Sequence, residues 1–235
     1  MKRFAFLLVL LSASLLGQTP TPSPANAWMK TPTTLPSADD VPAPLRHDRD
    51  SFLDAPFRKG HPLTSDNGSA TVVSEGSHSP TDPEIPTFPN RAVVIGTFKT
   101  SRSLLSASGL SVYTEVQFQV DTVFDKGPAL VLPGATVTVA LAGGIVRKSD
   151  GQIISFLTQP RAYSIQPNGT YLAILNYKNN GQFYTLDKTW DLSDGITRPN
   201  SSLEKDRADR GQSTLVGLSK DQLIQLFTNK PLTGK

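Results

Sequence analysis

Three histidines, His47, His61 and His78, are the only imidazoles in this 235-residue chain, which has no cysteine. They stand 14 and 17 residues apart in a proline-rich stretch, a spacing that fits no compact ligand set. A Ser-His-Asp triad, a Cys-His pair, a thiolate zinc site and a multi-histidine centre all need residues that the chain lacks after about Phe88. Carboxylates are the acids that remain: Glu115, Asp121, Asp125, Asp150, Asp187, Asp191 and Asp194. Two-carboxylate hydrolysis needs its acids about 5–10 Å apart. Glu115 and Asp121 share a strand face, but six residues of strand put them roughly 20 Å apart. Asp125, Asp150 and Asp194 stand in turn sequences, where aspartate serves the backbone. No G-x-x-x-x-G-K-[ST] occurs, and no G-x-G-x-x-G runs from a strand into a helix. The expectation is a chain with no catalytic residue, no metal and no cofactor. A pair of acids from different strands stays open, so the alternative class is a carboxylate-dependent hydrolase acting outside the cytoplasm.

The residues that remain are suited to contact rather than chemistry. Along the longest regular run, Val112, Thr114, Val116, Phe118, Val120, Thr122 and Phe124 alternate with Tyr113, Glu115, Gln117, Gln119, Asp121 and Val123. Alternation of period two places the first set on a core and the second mostly in solvent. Tyr113, Glu115, Gln117 and Gln119, with the loop residues Arg147 and Lys148, are therefore the expected ligand-binding surface. Tyr113 is the most telling of them, because an exposed aromatic among amides suits peptide or sugar contact. Tyr177, Tyr184 and Trp190 are expected at the edge of the core.

These residues need a scaffold, and from Pro89 onward the pattern is that of strands. Arg91 to Arg102 opens one, with Gly96 marking a bulge or coil inside it. The run from Val112 spans roughly 40 Å at 3.3 Å per residue, long enough to coil and serve two halves of a small barrel. Asp125-Lys126-Gly127-Pro128, Pro133-Gly134, Ser149-Asp150-Gly151, Pro167-Asn168-Gly169 and Asn180-Gly181 punctuate the strands that follow. The chain is thus expected to be all-β, a small OB-like or Greek-key barrel of about six strands over residues 90–190. Residues 191–235 read as a charged loop, Leu203 to Arg210, and a short C-terminal helix. Ser219-Lys220-Asp221-Gln222 is a capping box for that helix, which ends near Lys230-Pro231.

Upstream, residues 28–89 hold ten of the nineteen prolines and read as a flexible, disordered tether. One island, Ser51 to Arg58, carries Phe52, Leu53 and Phe57, which are expected to dock on the domain or form a helical turn ended by Pro56. Residues 1–27 have the form of a signal peptide: Met1-Lys2-Arg3, an apolar run from Phe4 to Leu16, then Ala25-Asn26-Ala27. The apolar run is short for a membrane span, and no lipobox cysteine follows it. A periplasmic or secreted protein with no stable membrane insertion after cleavage is expected. Loss of Lys2 and Arg3 takes the net charge from +3 to +1, which gives no reason to expect nucleic acid as a partner. A protein, peptide or polysaccharide of the cell envelope is the expected partner.

The strings Val93 to Phe98, Val112 to Gly127, Pro133 to Val139 and Asn168 to Leu175 together resemble the netrin and tissue-inhibitor-of-metalloproteinase barrel, an OB-like fold. Those inhibitors chelate a protease zinc through an N-terminal cysteine held by disulfides, and this chain has neither. The resemblance implies the fold and argues against the inhibitor mechanism. The run from Pro83-Glu84-Ile85-Pro86 through Gly143-Gly144 to Tyr171-Leu172 is also similar to a group of exported bacterial proteins of unknown function. It carries no catalytic or ligand residues to transfer.

Overall fold

The computed structural model describes residues 46–55, 69–72, 83–148, 150–158, 165–179 and 182–229. The expected signal segment, His61, His78, most of the proline-rich stretch, the Asn180-Gly181 turn and Lys230-Pro231 lie outside them. Among the described residues, no helix is long and apolar enough to cross a membrane.

The strands are β1 (Ser69–Val72), β2 (Arg91–Leu105), β3 (Val112–Asp125), β4 (Thr136–Ala142), β5 (Gly144–Arg147), β6 (Ile153–Thr158), β7 (Thr170–Lys178), β8 (Phe183–Asp191) and β9 (Arg198–Pro199). Three helices join them: α1 (Arg46–Asp54), α2 (Ser202–Asp209) and α3 (Lys220–Asn229). Six strands form one sheet in the order β4-β3-β2-β7-β8-β9, and a parallel contact between β4 and β8 closes it. The closed ring runs β2-β3-β4-β8-β7 and back to β2, the strand order of an OB-like Greek-key barrel. β1, β6 and β5 make a second, three-stranded sheet.

The length of β2 and β3 makes closure possible. β3 pairs along β2 from Val112 to Asp125 and with β4 from Tyr113 to Gln119, so one strand serves two neighbours. The β2–β3 register shifts between Ile95 and Gly96, where the sheet must coil. A Cβ on Gly96 would lie 2.2 Å from the Gln119 carbonyl oxygen and 2.8 Å from the Phe118 ring. Only glycine permits that approach.

Alternation then sorts the side chains into two cores. Inside the ring lie Val94, Phe98, Val116, Phe118, Val120, Val139, Tyr171, Leu175 and Tyr184, with Phe98 stacked against Phe118 and Tyr171 at centroid distances of 4.6 and 5.4 Å. Outside it, Val93, Ile95, Leu172, Ile174 and Trp190 pack against Leu215, Leu223 and Phe227 of the C-terminal region. Ile85 and Phe88 join this outer core, so the chain is packed from ahead of β2. Trp190 is fully buried rather than at the core edge.

The C-terminal helix forms as its sequence dictates. Gln222 Oε1 accepts from the Ser219 amide at 2.8 Å, and Ser219 Oγ accepts from the Gln222 amide at 3.2 Å, the reciprocal capping box. The expected charged loop from Leu203 to Arg210 is instead helix α2. Ser201 caps it by accepting from the Glu204 amide, and the buried Glu204 pairs with Lys188 of β8 and with the buried Arg207 of its own helix. These two helix charges are thus internal, whereas Lys205, Asp206, Asp209 and Arg210 remain exposed.

Candidate functional site

On the outer side of the ring, β3 presents Tyr113, Glu115, Gln117 and Gln119, as the period-two pattern requires. They are not a bare solvent face. Tyr113 is 1% exposed, which corrects the expectation of an exposed aromatic contact. The cause is α1, from more than sixty residues upstream, which lies over the β3 end of this face and the β2–β3 loop.

The contacts of α1 are polar and convergent. Asp50 Oδ1 accepts from the Tyr113 hydroxyl and Oδ2 from the Ala107 amide, both at 2.7 Å. Asp54 accepts from the hydroxyls of Ser111, at 2.7 Å, and Ser108. The Arg49 guanidinium pairs with Glu115 and stands 5.7 Å over the Phe183 ring, and Arg46 donates to the Leu105 carbonyl. Phe52 meets Phe183 edge-on at 5.8 Å and lies under the Lys178 ammonium at 4.7 Å. Asp50 and Asp54, four residues apart, face the barrel from one side of the helix. The described part of the island, Ser51 to Ala55, is held through Asp54 and through Arg46, Arg49 and Asp50 just ahead of it. Phe52, expected to drive docking, stays 42% exposed.

These surroundings set the chemistry of the groups. Burial, reinforced by the hydrogen bond to Asp50, pushes the Tyr113 phenol far above its ordinary value, so it remains a donor. Burial lowers the Lys178 ammonium, against the opposing pull of Asp187. Gln117 donates to Thr138 of β4 at 3.2 Å, and Gln119 is half-buried beside it. These two continue the face beyond α1. Arg147 and Lys148 lie at the tip of the β5–β6 hairpin, in the other sheet, where Lys148 donates to Gln152 at 3.1 Å. The structure groups Tyr113, Glu115, Gln117 and Gln119 on one face and sets Arg147 and Lys148 on a separate element.

Asp125, Asp150, Asp191 and Asp194 occupy backbone roles of the kind that turn chemistry assigns. Asp125 accepts from the Gly127 amide and pairs with Arg91 at 2.8 Å. Asp150 accepts from the Gln152 amide and Asp191 from the Ser193 amide. Asp194 accepts from Ile196 and from Arg198, whose hydrogen bond holds its carboxyl below the usual range. Among the described residues, no group of three or more His, Cys, Asp or Glu is placed to hold a metal ion.

A cavity of about 390 Å³ is lined by Leu130, Leu132, Val137, Tyr177, Gln182 and Tyr184, among others. Leu130 and Leu132 are exposed, and the buried Tyr184 hydroxyl has no hydrogen-bond partner among the described residues. Burial, with Tyr177 alongside, pushes that phenol up to about 12.

No family model, curated protein or solved structure matches this chain. The site is read from its own geometry.

The alternation correctly placed Tyr113, Glu115, Gln117 and Gln119 on the outer side of β3 but gave no sign of what covers it. Asp50 and Asp54 were readable as an i, i+4 pair beside an apolar island, yet nothing local tells which strand end they meet. Phe183 was hidden for the same reason, since its ring serves α1 rather than the barrel interior.

Proposed function

We propose that this chain is an exported, non-catalytic binding module of the periplasm or the extracellular space, whose ligand meets the outer face built on β3, β4 and the start of β8. One observation carries the reading. That face offers the Tyr113 and Ser111 hydroxyls and the Ala107 amide as converging donors, with the Glu115 carboxylate beside them, and it already holds a distant segment of the chain. OB-like barrels bind through the corresponding face and the loops beside it. Preplaced donors in partly dry surroundings give orientation and selectivity to such a contact. The ligand class is a protein, peptide or polysaccharide of the envelope. The engagement of Asp125, Asp150, Asp191 and Asp194 in turns, and of Glu115 in an ion pair, favours this reading over a carboxylate-dependent hydrolase.

The test is to screen the full chain on arrays of envelope polysaccharides and peptides, beside a Gln117→Glu/Gln119→Glu variant. Saturable binding that the two added charges weaken supports the reading. Binding that they leave untouched moves the ligand to another surface, and failure to bind any array member counts against the module altogether.

A further inference from the structure

Two features of α1 do not fit an ordinary packed helix. It has nine residues, too few to hold a helix in water without a support. Its support is also unlike a core. The side chains that meet the barrel are mainly Arg46, Arg49, Asp50 and Asp54, while its only aromatic residue remains partly in solvent. Asp50, at 3% exposure, and Asp54, at 1%, are as buried as core residues, and each oxygen named above has its own donor on the barrel. The match is that of a ligand in a site.

The barrel side of the contact is specific in what it asks for. The Tyr113 hydroxyl and Ala107 amide take one carboxylate; the Ser108 and Ser111 hydroxyls take a second one helical turn on. Glu115 takes a guanidinium one residue before the first carboxylate, and the Phe183 ring lies under that cation. A neutral polysaccharide offers these four donors only hydroxyl and ether oxygens, without the charge that strengthens such a bond. A helix with acids at i and i+4 satisfies them all.

We propose that this face is a receptor for a short acidic helix, that α1 is its occupant in the same chain, and that a protein partner carrying the same pattern engages the barrel by displacing α1. The proposal rests on the binding-module reading and deepens it by naming the ligand class and how access to the site is controlled. Residues 55–68 lie between α1 and β1, which is itself paired with β6. A connection of that kind presents its end group at an effective concentration on the order of 1 mM. For a partner and an occupant of equal intrinsic Kd near 10 μM, the occupied face then binds the partner roughly 100-fold more weakly than a vacated one. Loss of α1's carboxylates opens the site, and restoring them closes it.

The experiment uses the full chain, a full-length Asp50→Asn/Asp54→Asn variant and a fluorescently labelled peptide of residues 44–57, read by anisotropy. The expected result is saturable binding to the variant at least tenfold tighter than to the unaltered chain, with no binding of the peptide when its own two aspartates are asparagine. Tyr113→Phe added to the variant should weaken the peptide at least fivefold. Equal affinity for native and asparagine peptides overturns the proposal, as does no binding to a variant whose thermal transition matches that of the unaltered chain. Arg46→Ala/Arg49→Ala repeats the measurement if the first variant fails to fold. If neither variant folds, the proposal also falls, because an occupant that can be displaced is not required for folding. An array ligand that binds both chains equally would leave the binding module standing and remove only α1's role.

Discussion

The hydroxyl of Tyr113 offers a clean way to test how α1 is held. Tyr113→Phe keeps the ring and its packing, and removes one donor from Asp50 Oδ1 at 2.7 Å. Hydrogen bonds to charged groups contribute about 1.5–3 kcal/mol, and at 1.36 kcal/mol per factor of ten this shifts the docking equilibrium by about 10- to 150-fold. The Ala107 amide reports on docking directly, since its hydrogen is covered by Asp50 Oδ2 and by no strand partner. In the variant it should exchange with solvent about tenfold faster or more. The Val120 amide, bonded to the Ala135 carbonyl at 2.8 Å within the barrel, should keep its rate. Because burial holds the Tyr113 phenol far above its ordinary value, the difference should persist unchanged across neutral and mildly alkaline pH. Ala107 exchange within twofold of the unaltered chain would refute the idea that Asp50 anchors α1. Parallel acceleration at Val120 would mean that the hydroxyl supports the whole barrel instead.

Gly96→Ala should lower the stability by about 3 kcal/mol, since the new methyl meets the Gln119 carbonyl at 2.2 Å and must force the strands apart. Gly109→Ala, at φ +72° with open space around it, should cost only about 1 kcal/mol, and equal losses in denaturant unfolding would remove the steric account. Burial pushes the Glu204 carboxyl above its ordinary range against the pull of Lys188 and Arg207, so the native state binds this proton more tightly than the unfolded chain does. Stability from this group is therefore present at low pH and lost as pH rises from the ordinary glutamate range through the raised native value. Melting curves against pH should show the unaltered chain gaining on Glu204→Gln as pH falls; a gap that widens in its favour with rising pH contradicts the argument. Tyr184→Phe removes a buried hydroxyl with no partner among the described residues, and should leave Tm unchanged or raise it. A loss above about 1 kcal/mol would show that the hydroxyl is bonded after all.

Much of the barrel could be read in the chain because each strand carries its own instruction. The alternation from Val112, the Gly96 irregularity and the Ser219–Gln222 cap are local signals, and each forms the expected element. Asn168 and Gly151 adopt positive φ where turns were expected. What escaped was decided between distant segments. Tyr113 obeys its alternation and faces outward, but exposure depends on whether another element arrives, and α1 comes from a region where proline density masks a nine-residue helix. α2 had a usable signal in Ser201-Ser202-Leu203-Glu204, a cap pattern overshadowed by the charges after it. Glu204 read as part of a solvated loop because its partner Lys188 is a cation in another strand. Period and caps travel with the segment; the partner of a charge does not.

The ring closes on a narrow seam. β4 and β8 meet at Val139 with Tyr184 and Ala140 with Thr185, a parallel contact between residues 45 positions apart in sequence. Loop entropy and the weaker parallel geometry make this a later pairing than those of the β2–β3–β4 meander, which assembles from sequence neighbours. During synthesis, β4 must therefore wait for β8 with one edge unsatisfied. That edge is Thr136-Val137-Thr138-Val139-Ala140-Leu141-Ala142, seven residues with strong β-propensity, no charge and no proline. A run of this composition, held in strand form without a neighbour, is a template for pairing between chains. In the native barrel β8 pairs with Val139 and Ala140 at the centre of this run. The period before closure is thus the interval in which this protein is most prone to aggregate.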